Sequence, residues 1–500
     1  MSLGIIGAGS PQDTEDMAQY KETFYVSPSG TGTVASNSVT DPLSPANFQT
    51  HLAQNRRNVR YVFQGGVYEF NATLTVSSYG VELIGSGSAD ATGPATRFMF
   101  GTSPNTGVAF TGAGPYTATV TGTVKAVYWD DTTAYAAATS RGRPLKKTRN
   151  TGTPTTPGAG EWGQSGATLY LGDNPAGRTV RIVTANVSGI TVGTGCDELS
   201  IRGIEVGYTD GHGLTIPAAQ GSGQLNASNI YLDNFWVFGC YDDTDAAGAV
   251  ANNGINCQSP CNIYAKRINI DWIDNDGINL KQQCNMYASG VFVDRCGDDC
   301  VSPHYGAHLE MSDFILRNPR QITTDGNGIT FFAGGSGVLN NGHVYAPTAT
   351  GIMFQNAGTQ YPGSRVQMTD VVCSNGDWGT GGEVGFHFQG TNSVVATRCK
   401  AIGWQNGTLG FGFYFDDAGS TNIHADVLLQ DCIAIKCRAN VRTNRASATN
   451  TMRLDAINFK HVDATVAEIS HAGAVPLTTG GTSTDESAVA GITVQNFWLD

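Results

Sequence analysis

Charged side chains are scarce in this 500-residue chain, in which Lys, Arg, Asp and Glu together make up 14% of the residues. That scarcity disfavours a fold built from charged surface helices. Positive charge is scarcer still, because the net charge is −13, whereas proteins that bind the nucleic-acid backbone concentrate Lys and Arg. No stretch reaches the roughly 20 apolar residues that cross a bilayer. We therefore predict neither a nucleic-acid partner nor a membrane partner.

Two further patterns are missing. Apolar runs with a 3.6-residue period are absent, which argues against helical repeats. The eleven cysteines include no two CxxC motifs at zinc-ligand spacing, so we assign no metal to them. Cys296, Cys373, Cys399 and Cys432 follow strands at matching places, and we interpret them as stacked interior residues. Glycine, by contrast, is abundant at 64 residues and favours many turns between short strands.

Two sequence phrases alternate from about residue 182 onward. The first is a strand pair with a turn, such as CNIYAKRINIDWID from Cys261, and it recurs every 23 to 33 residues. The second is a polar residue, usually followed by Gly, and then apolar alternation, such as NGINC at Asn253 and DGINL at Asp276. One copy of each makes one coil of about three short strands. The pattern predicts an all-β fold, a right-handed parallel β-helix that stacks as a solenoid.

The phrases divide the chain into four parts. Residues 1–22 are predicted to be a flexible lead or attachment segment, and residues 23–98 an N-terminal cap with the first coils. Ser44 as N-cap and a Pro in the first turn predict a short capping helix within residues 44–57. The spacing changes over residues 99–181, which we interpret as a small β insertion. Residues 182–500 form the main β-helix.

If coils stack about 4.8 Å apart, equivalent residues form columns along the solenoid. One column precedes the glycine of the second phrase and is polar in the middle coils: His212, Asn253, Asp276, Asp299, Asn327, Thr350, Val384 and Phe411. A second, outward column lies five residues further on: Pro217, Gln258, Lys281, His304, Phe332, Gln355, Gln389 and Asp416. Acid–base groups are densest in the same two coils of both columns, which predicts a site there.

These two coils contain DNDGINLK and GDDCVSPH, which bring Asp276, Asp298 and Asp299 together, with Lys281 and His304 at the far end of the strands. Crowded carboxylates raise the pKa of at least one member, which can then donate a proton while another acts as a base. Glycoside hydrolysis needs such a pair, usually about 6.5–9.5 Å apart in inverting enzymes. The alternative is structural, since Asp and Asn before Gly also form ladders that only satisfy backbone groups.

NDGINL followed one coil later by GDDCVS resembles the paired acidic motifs of the polygalacturonase family of glycoside hydrolases, which are right-handed parallel β-helices. The resemblance implies that Asp276, Asp298 and Asp299 are the catalytic carboxylates. The family's next motif has His between two glycines where this chain has Asn327, and its Arg-x-Lys motif corresponds at best to Arg365-Val366-Gln367. Asn279, Asn327, Arg365 and Tyr414 join Lys281 and His304 as candidate substrate-binding residues. We interpret His212, in an early Gly-His-Gly, as a turn residue.

The segments FYVSPSG and LYLGDNPAGRTV resemble the broader pectin-lyase-like superfamily, which includes phage tailspike depolymerases. This resemblance implies a polysaccharide substrate, an extracellular or virion-associated location and a homotrimer. It supports the fold more strongly than the reaction. With the paired Asp residues we predict a polysaccharide-degrading glycoside hydrolase without a cofactor, or with Ca²⁺ if the enzyme is a lyase.

Two other functions fit the same residues. A polysaccharide lyase or uronate epimerase would use Lys281, His304 or Arg365 with a base, or Ca²⁺ held by Asp276 and Asp299. A non-catalytic carbohydrate-binding spike or adhesin would stack sugars on exposed aromatic rings, for which the candidates are Phe332, Trp378, Trp404 and Tyr414. Tyr414 has outward parity on its strand, so we predict that it is exposed.

Overall fold

The computed structural model describes most of the chain between residues 22 and 497. The described ranges are 22–86, 95–100, 109–130, 145–176, 179–184, 187–218, 229–243, 252–319, 326–345, 347–355, 363–375, 384–390, 392–404, 410–416, 424–445, 451–462, 467–473, 477–479 and 489–497. The predicted lead segment lies outside them except for Glu22. Within these ranges, no helix is long and apolar enough to span a membrane.

The N-terminal part contains the helix and the first coils. Its elements are β1 (Glu22–Val26), α1 (Pro45–Leu52), β2 (Val59–Phe63), β3 (Gly66–Phe70), β4 (Leu74–Val76), β5 (Glu82–Gly85) and β6 (Thr96–Phe100). Helix α1 begins as predicted, because the Ser44 side chain accepts a hydrogen bond from the Asn47 N–H and Pro45 occupies the first turn. Phe48 is buried and packs edge-on against Tyr61 and Phe63, so the helix covers the interior of the first coils.

A separate group of strands follows, at the place of the predicted insertion. They are β7 (Tyr116–Thr119), β8 (Ala126–Asp130), β9 (Leu145–Lys146), β10 (Thr148–Arg149), β11 (Glu161–Ser165), β12 (Thr168–Leu171) and β13 (Thr179–Val183). They form a four-stranded and a three-stranded sheet, mostly antiparallel, with their own core around Trp129 and Trp162. A second apolar cluster, which includes Tyr128, Tyr208 and Phe238, packs this unit against the solenoid.

The main solenoid contains the remaining strands. They are β14 (Ile190–Val192), β15 (Leu199–Thr209), β16 (Leu214–Ile216), β17 (Asn229–Cys240), β18 (Ile255–Cys257), β19 (Asn262–Ile273), β20 (Ile278–Leu280), β21 (Asn285–Cys296), β22 (Val301–Pro303), β23 (His308–Arg317), β24 (Ile329–Phe332), β25 (Ser336–Tyr345) and β26 (Thr350–Gln355). They continue as β27 (Ser364–Ser374), β28 (Val384–Gln389), β29 (Asn392–Thr397), β30 (Lys400–Ile402), β31 (Phe411–Asp416), β32 (His424–Gln430), β33 (Ile433–Ile435), β34 (Ala439–Arg445), β35 (Thr451–Val462), β36 (Ala467–Gly473), β37 (Leu477–Thr479) and β38 (Val489–Phe497).

Two parallel sheets run the length of the solenoid. The short-strand sheet contains twelve described strands in the order β4, β14, β16, β18, β20, β22, β24, β26, β28, β31, β34 and β36. The long-strand sheet includes β15, β17, β19, β21, β23, β25 and β27 as successive neighbours. Most coils contribute one strand to each sheet, while two later coils contribute β29 with β30 and β32 with β33 to the long-strand sheet, and every described pairing between coils is parallel. The chain therefore folds as a right-handed parallel β-helix, which confirms the predicted fold class.

The long strands are bent near their middle, which gives a coil three faces; β15, β17, β19 and β21 contain a second residue with positive φ nearer their ends, at Tyr208, Gly239, Trp272 and Arg295. The bend is a single residue with φ between 49° and 65°, in the left-handed region. These residues form one column: Gly203, Asn234, Arg267, Gly290, Asp313, Asn341, Asp370, Arg398 and Asp431. Gly, Asn and Asp adopt this conformation at little cost, which explains most of the column. The three strands per coil expected from the 23-residue period are thus a short strand and the two halves of a long one.

The interior is a continuous apolar core in which like residues stack from coil to coil. Phe331, Phe354, Phe388 and Phe415 form one stack, with ring centroids 4.7–5.4 Å apart and nearly parallel planes. All eleven cysteines are buried, form no disulfide and lie in this core. The stacking fixes the register of the short-strand sheet, which positions the polar side chains on its outer face.

Candidate functional site

The column before the glycines forms a ladder of hydrogen bonds at the start of the short strands. Each side chain accepts a bond from the backbone N–H of the next rung: His212 Nδ1 from Asn253 (2.9 Å), Asn253 Oδ1 from Asp276 (3.1 Å), Asp276 Oδ1 from Asp299 (3.3 Å), Asp299 Oδ1 from Asn327 (3.0 Å) and Asn327 Oδ1 from Thr350 (3.0 Å). We call these five residues the turn ladder. The structure confirms that this column stacks. It also shows that each of the five side chains accepts a hydrogen bond from a backbone N–H of the next coil.

The carboxylates of the turn ladder lie beside that of Asp298. Oxygen atoms of Asp276, Asp298 and Asp299 all lie within 4.8 Å of one another, and we call this group the Asp cluster. Asp276 and Asp299 are buried, whereas Asp298 is partly exposed and accepts a long hydrogen bond from the Gly326 N–H (3.4 Å). The spacing is shorter than the 6.5–9.5 Å considered from the sequence, so the three groups interact strongly. Their oxygens are also the ligand type that Ca²⁺ prefers.

Burial and mutual repulsion shift the protonation of the Asp cluster. Burial, followed by the charge of Asp298, raises the pKa of Asp299 to about 7. The pKa of Asp276 is raised well above its ordinary value by burial and then by the charges of Asp299 and Asp298. The cluster therefore retains a proton near neutral pH, which a single solvated carboxylate would not.

A second polar column, three residues after the turn ladder, supports the carboxylates. Asn279 Nδ2 lies 2.6 Å from Asp276 Oδ2, and the Ser302 hydroxyl lies 2.7 Å from Asp299 Oδ2. Asn279 Oδ1 is buried without a partner among the described residues. Rotation of this amide would let a protonated Asp276 donate to that oxygen. From this column, the sequence analysis selected Asn279 but missed Asn256, Ser302 and Thr330. The signal was present, because each of these polar residues stands three positions after a residue of the turn ladder.

Lys281 and His304 lie at the far end of the same strands, on the outer face. Lys281 is partly exposed, and its charge acts on Asp276, His212 and His304. Burial, followed by Lys281, lowers the pKa of His304 to about 3, so its imidazole is neutral. The His304 ring packs near Phe332 (5.2 Å between centroids) and Tyr305 (5.8 Å). The structure thus brings a cation and an aromatic patch to the predicted side of the Asp cluster.

His212 and Asn327 hold the ladder at either side of the two aspartates. Burial lowers the pKa of His212 to about 4, and its Nε2 lies 3.0 Å from the Asn256 amide. Asn327 uses its amide N–H to bond the Thr330 hydroxyl (3.0 Å). Both side chains are engaged within the solenoid, which gives them a structural role in the ladder.

Other candidates lie elsewhere. Arg365 is exposed on β27 of the long-strand sheet, a different face of the solenoid from the Asp cluster, and its role in substrate binding stays a prediction. Tyr414 points outward from the short-strand sheet but is only 7% exposed, because it packs with Phe411 and His387; the prediction that it is exposed is wrong. Trp404 is fully buried, and Trp378 lies outside the described residues.

The β insertion contacts Asp243, in the turn that follows β17, and this contact was not predicted from the sequence. Asp243 receives hydrogen bonds from Lys146 Nζ (2.6 Å) and Trp162 Nε1 (3.2 Å), and its backbone N–H donates to the Lys125 carbonyl (2.7 Å). Burial, followed by the charge of Asp243, raises the pKa of Asp274 to about 7. Asp274 is two residues from Asp276, so the charges around Asp243 act on the turn that leads into the Asp cluster.

Fold and site together define a parallel β-helix with a carboxylate-rich outer face. No protein-family model matches the chain, and no curated protein matches it significantly. Among solved structures it is similar to the catalytic domain of a GH87 α-1,3-glucanase in complex with tetrasaccharides, with a TM-score of 0.46 and 11% identity over 96% of this chain and 69% of that one. It is also similar to polygalacturonase from Erwinia carotovora ssp. carotovora, with a TM-score of 0.41 and 8% identity over 91% of this chain and 97% of that one. A pectate lyase gives a TM-score of 0.35 at 12% identity, covering 91% and 80%. Such distant likenesses support no conclusion about reaction or substrate.

Proposed function

We propose that the chain is a polysaccharide-degrading enzyme, a glycoside hydrolase that uses the Asp cluster at the start of β20 and β22. The observation that carries this proposal is the convergence of three carboxylates within 4.8 Å, two of them buried and one partly exposed. A ladder that served only the backbone would need one acceptor per coil, which Asn253 and Asn327 supply without charge. Placing the carboxyl groups of Asp276, Asp299 and Asp298 next to one another costs stability, and a catalytic role would explain why the chain carries them.

The roles follow from exposure and protonation. Asp298 is the accessible member and would contact the glycosidic oxygen. Asp299, with its pKa raised to about 7, keeps a proton available to the cluster at neutral pH. That proton passes to the leaving oxygen as the glycosidic bond breaks. A carboxylate of the cluster then takes a proton from the attacking water, which restores the starting state.

Lys281 favours an acidic polysaccharide. It is a partly exposed cation on the same face, and its charge reaches the Asp cluster. A uronate or similar acidic sugar bound beside three aspartates needs such a counter-charge. A bacterial surface polysaccharide, or another acidic polysaccharide, is therefore the substrate class that we propose, with action outside the cell or on a virion. A homotrimer and independence from a cofactor remain predictions.

Removing that counter-charge should affect binding more than chemistry. For the acidic polymer that is cleaved, Lys281→Met is expected to raise KM roughly tenfold or more with a smaller change in kcat, since a charged hydrogen bond is worth about 1.5–3 kcal/mol. Lys266→Met, which changes an exposed lysine on the long-strand sheet, is the matched control and should leave KM unchanged. If the two substitutions change KM equally, Lys281 does not bind the substrate.

The reaction class is tested by product analysis on a panel of bacterial capsular, lipopolysaccharide and plant acidic polysaccharides. Reducing ends and absorbance near 235 nm are followed for the wild-type protein and for Asp298→Asn. We expect new reducing ends without ultraviolet absorbance, and a loss of about 10²–10⁴-fold in the variant.

Three other outcomes would contradict the hydrolase. Absorbance near 235 nm would identify a lyase, and addition of Ca²⁺ and of a chelator would then show whether the Asp cluster holds a metal. An inverted uronate centre without chain cleavage would identify an epimerase. Binding without any product would leave a carbohydrate-binding spike.

A further inference from the structure

Three cysteine side chains meet inside the corner where a short strand leads into a long one. Cys257 ends β18, Cys261 lies four residues further on and directly precedes β19, and Cys284 occupies the equivalent place one coil later. Cys261 Sγ lies 3.3 Å from Cys257 Sγ and 3.7 Å from Cys284 Sγ, and all three sulfurs lie within 4.8 Å of one another. We call them the cysteine trio.

Access distinguishes the cysteine trio from the other cysteines. Cys261 is 7% exposed, whereas each of the remaining ten cysteines is at most 1% exposed. A dissolved oxidant therefore reaches Cys261 first. The neighbouring thiols of Cys257 and then Cys284 stabilise its thiolate by hydrogen bonding, which lowers the pKa of Cys261. The most accessible thiol is thus also the one best prepared to act as a nucleophile.

The surroundings favour a disulfide over a bound metal. All three cysteines belong to the apolar core of the solenoid. Three thiolates around a divalent cation would leave a net negative charge buried there, which is costly. A disulfide carries no charge and replaces two thiols in contact. The shorter of the two sulfur contacts, between Cys257 and Cys261, identifies the pair that needs the least movement.

We propose that Cys261 and Cys257 are a redox-active pair that forms a disulfide with a dissolved disulfide oxidant, while Cys284 stays a thiol. With oxidised glutathione, the Cys261 thiolate attacks one sulfur, forms a mixed disulfide and releases the first glutathione. The Cys257 thiol then loses its proton as its sulfur attacks the Cys261 sulfur, forms the internal bond and releases the second glutathione. The two thiol protons leave with the two glutathione molecules. The bond would staple the corner between β18 and β19, and this proposal is independent of the catalytic one.

The test uses the full-length folded protein with oxidised glutathione. Free thiols are counted after denaturation and alkylation, and the bond is located by mass spectrometry of a tryptic digest. We expect two thiols fewer than the eleven of the reduced chain. Cleavage after Lys266 and Lys281 separates Cys284 from the other two, so a bond to Cys284 would join two peptides. A Cys257–Cys261 bond is internal to the peptide 203–266, and fragmentation of that peptide between Cys240 and Cys257 distinguishes it from a bond to Cys240.

Cys261→Ala should abolish the loss of thiols. Cys437→Ala is the matched control, because Cys437 is buried and bonds the backbone carbonyls of Ala401 and Ile435; this variant should still lose two thiols. If Cys261→Ala fails to fold, the peptide map of the wild-type protein decides alone. The proposal is overturned by retention of all eleven thiols, by a disulfide between any other pair, or by a stoichiometric thiol-bound metal in the purified protein.

Discussion

The Asp299→Asn variant is expected to lose about 10²–10⁴-fold in polysaccharide cleavage and, at the same time, to become more stable than the wild-type protein above pH 7. An amide preserves the ladder, because its oxygen accepts the Asn327 N–H and its nitrogen can donate to the Ser302 hydroxyl. Asn253 and Asn327 already occupy equivalent rungs, so the solenoid tolerates this side chain. The substitution therefore removes a charge and a proton donor without removing a structural contact.

The pH dependence of this stability difference has a definite sign. The pKa of Asp299 is raised in the folded state from 3.8 to about 7. Between these values the unfolded chain has lost the proton and the folded chain has kept it, so wild-type stability falls as pH rises, by up to about 1.4 kcal/mol per pH unit. The variant lacks this titration. Its advantage in the free energy of unfolding should grow from pH 4 to pH 7 and then remain constant.

Denaturant titrations at pH 4, 5.5, 7 and 8 measure that advantage, and initial rates on the cleaved polysaccharide measure the loss of activity. Asn327→Asp is the matched opposite change, because it places another carboxylate next to Asp299 and should destabilise the protein increasingly as pH rises. A variant Asp299→Asn that retains wild-type rates would leave the Asp cluster a structural ladder. One that is less stable at pH 8 would contradict the inferred protonation.

The coil register was predictable from the sequence because two constraints act together. Side chains alternate with period 2 along a strand, and coils stack at a constant spacing, so matching phrases fix which residues share a column. Asp276, Asp299 and Asn327 therefore lie one above the other in successive coils, as the sequence predicts. The same reasoning could not show that the two aspartates are buried, because burial depends on the neighbours that cover the outer face.

The sequence did not predict the surroundings of Arg365 and Tyr414, for different physical reasons. Arg365 was selected from a motif, although it belongs to the strand–turn–strand phrase and hence to another face of the coil. Tyr414 does point outward, as its parity indicates, but parity sets direction and leaves exposure to packing against Phe411 and His387. The cysteine trio escaped notice because a search for CxxC spacing does not find contacts that combine an i, i+4 pair with a residue one coil away.

The remaining prediction concerns the stacked core that holds the site. Phe354→Ala is expected to lower the free energy of unfolding by about 3–5 kcal/mol, the usual cost of a large buried aromatic. The ring is fully buried between Phe331 and Phe388, with centroids 5.4 and 5.1 Å away, so its removal leaves a cavity that two coils line. Denaturant titration measures the change.

Ile315→Ala, which truncates a side chain that is 48% exposed, is the control and should alter stability by no more than about 0.5 kcal/mol. Because solenoid coils contact only their neighbours, the damage should stay local. Strand β26, which carries Phe354, is two coils from β22 and the Asp cluster, with β24 between them. Below the unfolding transition, Phe354→Ala should therefore keep its kcat on the cleaved polysaccharide. A loss of kcat at full folding would show that strain travels along the stack, and the coils would then have to be treated as one cooperative unit.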